Sequence, residues 1–281
     1  MKTIGFIDYF MSEWHANNYP EWIKGASDEL GEEFVVKYAW AEEDVSPFDR
    51  VTTDEWCSKY GVKKCANIEE LCEKADYIMV LAPSNPEKHL EYVKKVFNYK
   101  KNTYIDKTFA PDFITSEKIF ELSKQTGTNF FSTSALRYAT ELDGVIDSDA
   151  VITLGGGGNY DEYIIHQIEM VVKTVNEKAT AVRLEKQGDD QYISTVLFEN
   201  GKRATMIYEP TYGFSIVAEK DKKHYNKPIS SDFFKLLILD ILKFFLCGKA
   251  PFDINQTREV MRIRSALVNQ KDKLGEWITL L

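Results

Sequence analysis

Lys107 stands in Tyr104-Ile105-Asp106-Lys107-Thr108-Phe109-Ala110, directly after a short apolar run. A lysine taken out of water at a strand end can polarise a carbonyl or hydroxyl oxygen as a localised positive charge. An ion pair with Asp106, or a solvated lysine beyond the strand, is the plainer reading. Glu162 and His166 lie four apart in a helical stretch fed by Gly155-Gly156-Gly157-Gly158, so they share one face and their side chains can meet. A carboxylate beside an imidazole orients it and favours its protonated form, the arrangement of a general acid/base. Glu169 and Lys173 continue that face, which is equally the pattern of a solvated charged stripe. The second histidine of H-E-x-x-H is absent, so no metal is expected. Arg137 and Tyr138, after the run Asn129 to Ser132, could bind an anionic or hydroxylated substrate, or the arginine could be structural at a domain junction.

Elements of two kinds must position these residues. Thr3 to Asp8 reads as a strand, and a helix from about Glu13 to Leu30 follows, with Trp14, Trp22 and Ile23 among its buried candidates. Phe34 to Trp40, Tyr77 to Ala82, Asn102 to Asp106 and Asn129 to Ser132 read as further strands. Helices are expected at Ile68 to Ala75 with Asn67 as N-cap, at Lys88 to Phe97, and at Thr115 to Thr126 with Gly127 as the stop. Such alternation implies βαβ crossovers and a parallel sheet covered on both faces. After about residue 150 the character changes. Ala150 to Leu154, Ala179 to Lys186, Gln191 to Glu199 and Arg203 to Tyr208 are strands with hairpin-like turns, clearest at Glu199-Asn200-Gly201. Helices are expected near 162–175, 231–246 and 256–270. The fold class is therefore α/β: a Rossmann-like, doubly wound domain over 1–133, and an α+β domain with a mostly antiparallel open sheet over 134–281.

In an open parallel sheet ligands gather at the carboxyl ends of the strands, and there the first loop is unusual. A dinucleotide fingerprint reads G-x-G-x-x-G, because the backbone must approach a pyrophosphate at a helix N-terminus. This chain reads Asp8-Tyr9-Phe10-Met11-Ser12-Glu13, without a glycine. Asp8 puts a carboxylate where phosphate would sit, and two unit charges about 4 Å apart at an effective dielectric of about 20 repel by about 4 kcal/mol. The loop is either a remodelled cofactor site or an ordinary strand-to-helix turn. In Ala82-Pro83-Ser84-Asn85-Pro86-Glu87-Lys88-His89 the prolines and Asn85 are turn chemistry, and His89 reads as a surface residue before it reads as a ligand.

Composition narrows the functions further. Acids outnumber bases 44 to 35, for a net charge of -9, the opposite of a nucleic-acid footprint. With 44% apolar residues the chain can fill two cores. Cys57, Cys65, Cys72 and Cys247 form no C-x-x-C pair and read as reduced thiols. The start, MKTIGFIDYF, lacks a secretory signal, and the greasiest segment, Phe233 to Cys247, is interrupted by Lys235, Asp240 and Lys243 and too short for a bilayer. A cytoplasmic location with no membrane partner is expected.

The order of these stretches resembles the superfamily of glucose-fructose oxidoreductase and inositol dehydrogenase (Gfo/Idh/MocA) over nearly the whole chain. Ala75 to Val80 with Pro83, Ser84, Asn85 and His89 is similar to that family's strand and turn beside the nicotinamide. Asp106-Lys107-Thr108 falls where the family has Glu-Lys-Pro, and Arg137-Tyr138 where it often has an arginine and an aromatic. Gly155 to His166 resembles its Gly-Gly motif, acidic residue, three intervening residues and histidine. The resemblance implies a cofactor, NAD or NADP, held by Asp8, Tyr9, Phe10, Glu42, Pro83, Asn85, His89 and Asp106. Glu42, in Glu42-Glu43-Asp44, could bind an adenosine ribose and favour NAD, although three acids in a row are also a solvated loop. It further implies that Lys107 contacts the substrate oxygen and nicotinamide, that His166 exchanges the hydroxyl proton and that Glu162 stands for the family's Asp. Arg137 and Tyr138 would bind a sugar, polyol or related hydroxy compound. A homodimer or homotetramer formed through the C-terminal sheet is the implied assembly.

Two other functions fit the same residues. One is a binding or regulatory protein that has lost the dinucleotide, which explains Asp8, Tyr9 and Phe10 more simply. The other is an enzyme using Lys107 and His166 for non-redox acid/base chemistry.

Overall fold

The middle of β1 (Lys2–Asp8), from Ile4 to Ile7, and β4 (Tyr77–Val80) are apolar because the sheet they form is covered on both faces. In the computed structural model, which describes residues 1–280, they join β2 (Phe34–Ala41), β3 (Lys63–Lys64), β5 (Thr103–Ile105) and β6 (Phe130–Ser132). The six strands run parallel in the order β3-β2-β1-β4-β5-β6. The chain's direction across the sheet reverses between β1 and β4, and the carboxyl ends of those strands mark the ligand crevice of such a sheet. Asp8 ends β1, and Asp106 and Lys107 directly follow β5.

The crossovers are α1 (Trp14–Leu30), α2 (Thr53–Tyr60), α3 (Ile68–Lys74), α4 (His89–Val96) and α5 (Phe113–Thr126). Asn67, Asp112 and Gly127 cap α3 and α5 as their side chains and backbone permit. α1 buries His15, Ala16, Tyr19, Ile23 and Ala26. Trp14 is not core as expected: it is 53% exposed in the first turn of α1 and packs edge-on against half-buried Trp22, whose ring in turn meets Tyr19 at 5.8 Å. α2 was not anticipated, its polar sequence hiding a capping box between Thr52 and Glu55. Burial pushes the Cys57 thiol up to about 11 and the Cys72 thiol up to about 12, so neither is a nucleophile near neutral pH.

Two units divide the chain: Met1–Thr133 with Lys235–Asp253, and Ser134–Phe234 with the segment from Ile254. The return of Lys235–Asp253 to the first unit departs from the expected 134–281 domain. Aromatic packing explains it. On α7 (Phe233–Cys247), Phe245 stacks on Tyr77 with ring centroids 4.8 Å apart and Phe244 meets Phe131 at 4.9 Å. Each buried phenylalanine contributes about 1.5–3 kcal/mol, and the Asn102 amide adds a 2.9 Å hydrogen bond to the Phe245 carbonyl.

The second unit holds β7 (Ala150–Gly155), β8 (Ala179–Gln187), β9 (Gln191–Phe198), β10 (Arg203–Tyr208), β11 (Ser215–Lys220), β12 (Lys223–Pro228) and β13 (Ile278–Thr279). Their order is β12-β11-β7-β10-β9-β8-β13, antiparallel except where β7 runs beside β10. β11, β12 and β13 are additions to the expected strands; β12 is a polar edge strand with little apolar pattern to read. α6 (Tyr160–Val175) is pinned to the sheet by Gln167, which donates to the carbonyls of Gly155 and Ile207 and accepts from Thr153. α8 (Asn255–Val268) packs beside α6, its Arg264 donating to the Asp161 carbonyl at 2.8 Å.

The turn from β7 into α6 needs its glycines. A Cβ on Gly156 would stand 2.1 Å from the Glu209 carbonyl oxygen, and Gly157 has φ +134° while donating to the Pro210 carbonyl at 3.0 Å. This turn delivers Asn159, whose side chain caps α6 by accepting from the Glu162 amide at 2.9 Å. Replacing Gly156 by Ala is expected to cost about 1–3 kcal/mol as an overpacked backbone contact. Gly25→Ala, on the exposed side of α1 with nothing near, is expected to gain about 0.5–1 kcal/mol. Thermal unfolding of both variants checks the pair, and an unaltered midpoint for Gly156→Ala would contradict the close approach.

Candidate functional site

In the first unit the ends of β1 and β5 bring together residues that sequence spacing did not connect. Asp106 is 1% exposed, and its carboxylate accepts from the Tyr104 hydroxyl at 3.1 Å and the Lys107 amide at 2.8 Å. Its other oxygen bonds His15 Nδ1 from α1, with the Tyr19 hydroxyl at 3.5 Å. The His15 ring lies flat on Tyr19, with centroids 5.3 Å apart. Burial works against charge on Asp106, but the neighbouring His15 and Lys107 outweigh it and hold the carboxyl below its ordinary range. Burial, then the carboxylates of Asp106 and Glu13, push the Tyr19 hydroxyl far up, so it stays a donor. Lys107 is itself 8% exposed, and its ammonium reaches the Pro83 carbonyl at 3.5 Å. The expectation of a solvated lysine therefore gives way to a buried one.

The remodelled first loop is explicit. Asp8 Oδ1 accepts from the amides of Tyr9 at 2.7 Å and Ala82 at 3.1 Å, while Oδ2 is buried without a hydrogen-bond partner. Glu13 caps α1: its carboxylate accepts from the amides of His15, at 2.8 Å, and Ala16. Those are the donors that a helix N-terminus offers to an anion. Phe10 packs against Phe48 at 5.4 Å, and the Lys88 ammonium lies 5.4 Å over the Tyr9 ring. Glu42 is bonded to Lys88 and to the Tyr92 hydroxyl; burial raises its pKa, but these partners outweigh that and hold it below the usual range. Asn85 donates to Glu87 at 3.0 Å. His89 corrects the surface reading: it is fully buried, its ring nitrogens 2.7 Å from the Leu81 carbonyl oxygen and 3.0 Å from that of Phe109. A wholly buried ring between two backbone carbonyls braces the loops after β4 and β5.

In the second unit the stripe of α6 is not a solvated face. Glu169, 2% exposed, accepts from the Ser134 amide at 3.1 Å and from Arg137 at 3.1 Å. Arg137 is buried as well and is paired with this carboxylate; Tyr138 beside it is half-buried. Lys173 donates to the Arg137 carbonyl at 3.0 Å and to Asp143 at 2.8 Å. His166 is half-buried, with Nδ1 2.6 Å from the Ser134 hydroxyl oxygen. Ser134 Oγ also accepts from the Leu136 amide at 3.3 Å. Glu162 is engaged with Asn159 at the helix start. Among the described residues no group of acids, histidines and cysteines has the arrangement of a metal site.

No family model and no curated protein sequence matches the chain. Solved structures do. A myo-inositol dehydrogenase from Lactobacillus casei, solved in complex with NAD(H) and myo-inositol, superposes with a TM-score of 0.82 at 9% identity, over 100% of this chain and 97% of that one. A probable dehydrogenase from Thermotoga maritima gives 0.81 at 14% identity, over 99% and 98%. A myo-inositol 2-dehydrogenase from Lactobacillus plantarum gives 0.79 at 13% identity, over 100% and 99%. The fold is thus the one shared by these solved structures.

The acids of the first unit make a pH signature. Burial, then the neighbouring Glu13, pushes the Asp8 carboxyl well above its ordinary value of 3.8; the bonds from Tyr9 and Ala82 oppose this, and Asp106 adds to it. Because the folded value is the raised one, Asp8 favours folding fully only below the unfolded value, and that contribution is lost as pH rises through the folded one. Asp8→Asn, whose amide oxygen can keep the two backbone bonds, is expected to raise the unfolding midpoint at pH 8 by about 3 °C, what about 1 kcal/mol is worth in a chain of this size. The gain should shrink towards zero near pH 4. A difference that is constant over that range would show that Asp8 is not the titrating group.

Proposed function

We propose that the chain is a nicotinamide-dependent oxidoreductase, using NAD or NADP, for a sugar, polyol or related hydroxy compound. The observation that carries this reading is Lys107, buried directly after β5 and backed by an ionised Asp106. A cation so placed suits a substrate oxygen on which negative charge develops. The likeness to an inositol dehydrogenase bound to NAD(H) and myo-inositol supports both the cofactor class and the substrate class.

The start of α1 has the donors that a pyrophosphate requires, the amides of His15 and Ala16, at present held by Glu13. In that sense the residues fit the cofactor. Asp8, Tyr9 and Phe10 would border its phosphates, Glu42 its ribose, and Pro83, Asn85 and Asp106 its nicotinamide end, with His89 bracing the loops behind them. The cofactor, when bound, supplies or accepts the hydride.

Each of the chain's own residues then has a task. Lys107 polarises the substrate oxygen. His166, with Nδ1 on Ser134, exchanges the hydroxyl proton through Nε2, and Glu162 one turn before it stands as the accompanying acid. Arg137 and Tyr138 shape the substrate side. A second reading, a sugar-sensing protein without a dinucleotide, is favoured by one observation: two carboxylates, Asp8 and Glu13, stand in the loop where phosphates would lie.

The outer face of the second sheet supports self-association. Ile152 is 41% exposed, and Leu154, Ile193, Ile207 and Val217 on the same face are only half-buried. Contiguous apolar surface of this kind is characteristic of interfaces, and one patch pairing with its own copy gives a closed dimer.

Lys107→Ala and His166→Ala are each expected to lower kcat/KM by about 10²–10⁴-fold, the usual worth of a positioned charge or acid/base group. Steady-state rates of NAD(P)H formation across a panel of polyols and sugars check this, and unchanged rates in both variants would remove the assigned roles. Light scattering at micromolar concentration is expected to give a dimer or tetramer, and Ile207→Lys a smaller species. A monomer for the unaltered chain would contradict the interface.

A further inference from the structure

We infer that His15, in the first turn of α1, is a positioning residue for Lys107 and acts on it through the carboxylate of Asp106. The inference rests on the reading above that Lys107 meets the substrate oxygen.

The hydrogen bonds around Asp106 are the first support. An ionised carboxylate has about four acceptor sites and nothing to donate. Oδ1 accepts from the Tyr104 hydroxyl at 3.1 Å and from the Lys107 amide at 2.8 Å, while Oδ2 takes His15 Nδ1 and has the Tyr19 hydroxyl 3.5 Å away. Since the carboxylate only accepts, Nδ1 of His15 carries the proton of their bond. That bond spans 91 residues of sequence and ties the start of α1 to the end of β5.

The imidazole is held as well as holding. Its ring lies on Tyr19 with an interplanar angle of 6°, and Trp14 meets it edge-on with centroids 5.3 Å apart. A ring packed against two aromatics aims Nδ1 in one direction. The fixed donor orients the Asp106 carboxylate, the carboxylate holds the Lys107 amide, and the side chain of Lys107 then runs on to the Pro83 carbonyl.

Charge makes this chain of contacts necessary. Around Asp106 stand Asp8 at the end of β1, Glu13 at the cap of α1, His15 and Tyr19 on α1, His89 on α4, and Tyr104 and Lys107 on either side in sequence. Burial opposes charge on Asp106, and among the groups that counter it His15 comes first and Lys107 after. Burial also keeps His89 from taking up a proton. Without the imidazole, Asp106 would be a buried carboxylate with Lys107 as its one cationic neighbour among these groups, facing two further acids. It would then take up a proton, loosening its bond to the Lys107 amide, or draw the ammonium back towards itself. Either response disturbs the charge that Lys107 offers a substrate.

The test is steady-state kinetics of the full chain, following NAD(P)H formation with the most rapidly oxidised polyol or sugar. The forms compared are the unaltered chain, His15→Leu, His15→Asn, Lys107→Ala and the double variant His15→Leu with Lys107→Ala, each shown to be folded by circular dichroism. His15→Gln, whose amide nitrogen stands nearer to Nε2 than to Nδ1, takes the place of His15→Leu if the leucine variant is not folded. His15→Leu is expected to lower kcat about 100-fold with KM little altered, the cost of a misplacement of about 1 Å at a reacting group. Part of that loss is expected to return as pH is raised, because Asp106 without its partner must be deprotonated at a higher pH. His15→Asn keeps an N–H donor near the place of Nδ1 and is expected to stay within about tenfold of the unaltered chain. In the Lys107→Ala background His15→Leu is expected to cost less than about threefold more, since the two residues act as one unit. A full further loss in the double variant, or an unchanged kcat and pH profile in His15→Leu, would overturn the positioning role and leave the oxidoreductase reading standing. Absence of turnover in the unaltered chain across the whole panel would overturn both.

Discussion

Three carboxylates, Asp8, Glu13 and Asp106, are withdrawn from water around the ends of β1 and β5, and the character of the first unit follows from how they are neutralised. The interior can keep only those charges that have partners. Asp106 has His15 with Lys107 next to it and remains ionised. Asp8 and Glu13 have backbone amides, and burial drives their pKa values upward. One strand order thus yields an ionised carboxylate behind a buried lysine and, at the end of β1 and the start of α1, two carboxyls whose pKa values burial raises.

The second unit answers the same constraint with an ion pair. Arg137 and Glu169 are both nearly inaccessible and bond at 3.1 Å, while Glu169 also takes the Ser134 amide. Breaking such a pair by removing one partner typically costs about 3–5 kcal/mol, because the other charge is left uncompensated. The pair therefore locks the turn carrying Ser134, and Ser134 in turn holds Nδ1 of His166. Precision at the imidazole is inherited from a buried carboxylate one turn further along α6, acting through Ser134.

Much of this order was readable in the sequence. Apolar runs of four to eight residues with helices between them are legible because both faces of the parallel sheet are covered, and the placement of Lys107 after such a run follows directly. Glu162 and His166 were legible as one helical face. What could not be read is where a face points. Glu169 and Lys173 look like a solvated stripe, yet the first lies under Ser134 and Arg137, 30 or more residues away in sequence. His15 and Tyr19 carry no motif of their own; their role exists only because α1 returns over the end of β5. Trp14 and His89 fail in opposite directions, since side-chain type predicts burial only when the facing element is known. The signal for His15 is its four-residue spacing from Tyr19, which places two polar rings on the inward face of an otherwise apolar helix stripe.

The lost glycine fingerprint also becomes intelligible. Glycines in that loop serve a phosphate's close approach to the backbone; the sheet itself does not need them, so the fold persists without them. A helix N-terminus carries orphan amides, and leaving them unmet in a nearly buried turn costs free energy. Glu13 answers that cost from within the chain, contributing on the order of 0.5–2 kcal/mol as a cap. Its carboxylate stabilises the start of α1 through its contacts with the amides of His15 and Ala16, so the turn after β1 is closed by the chain's own side chain and needs no glycine to do so.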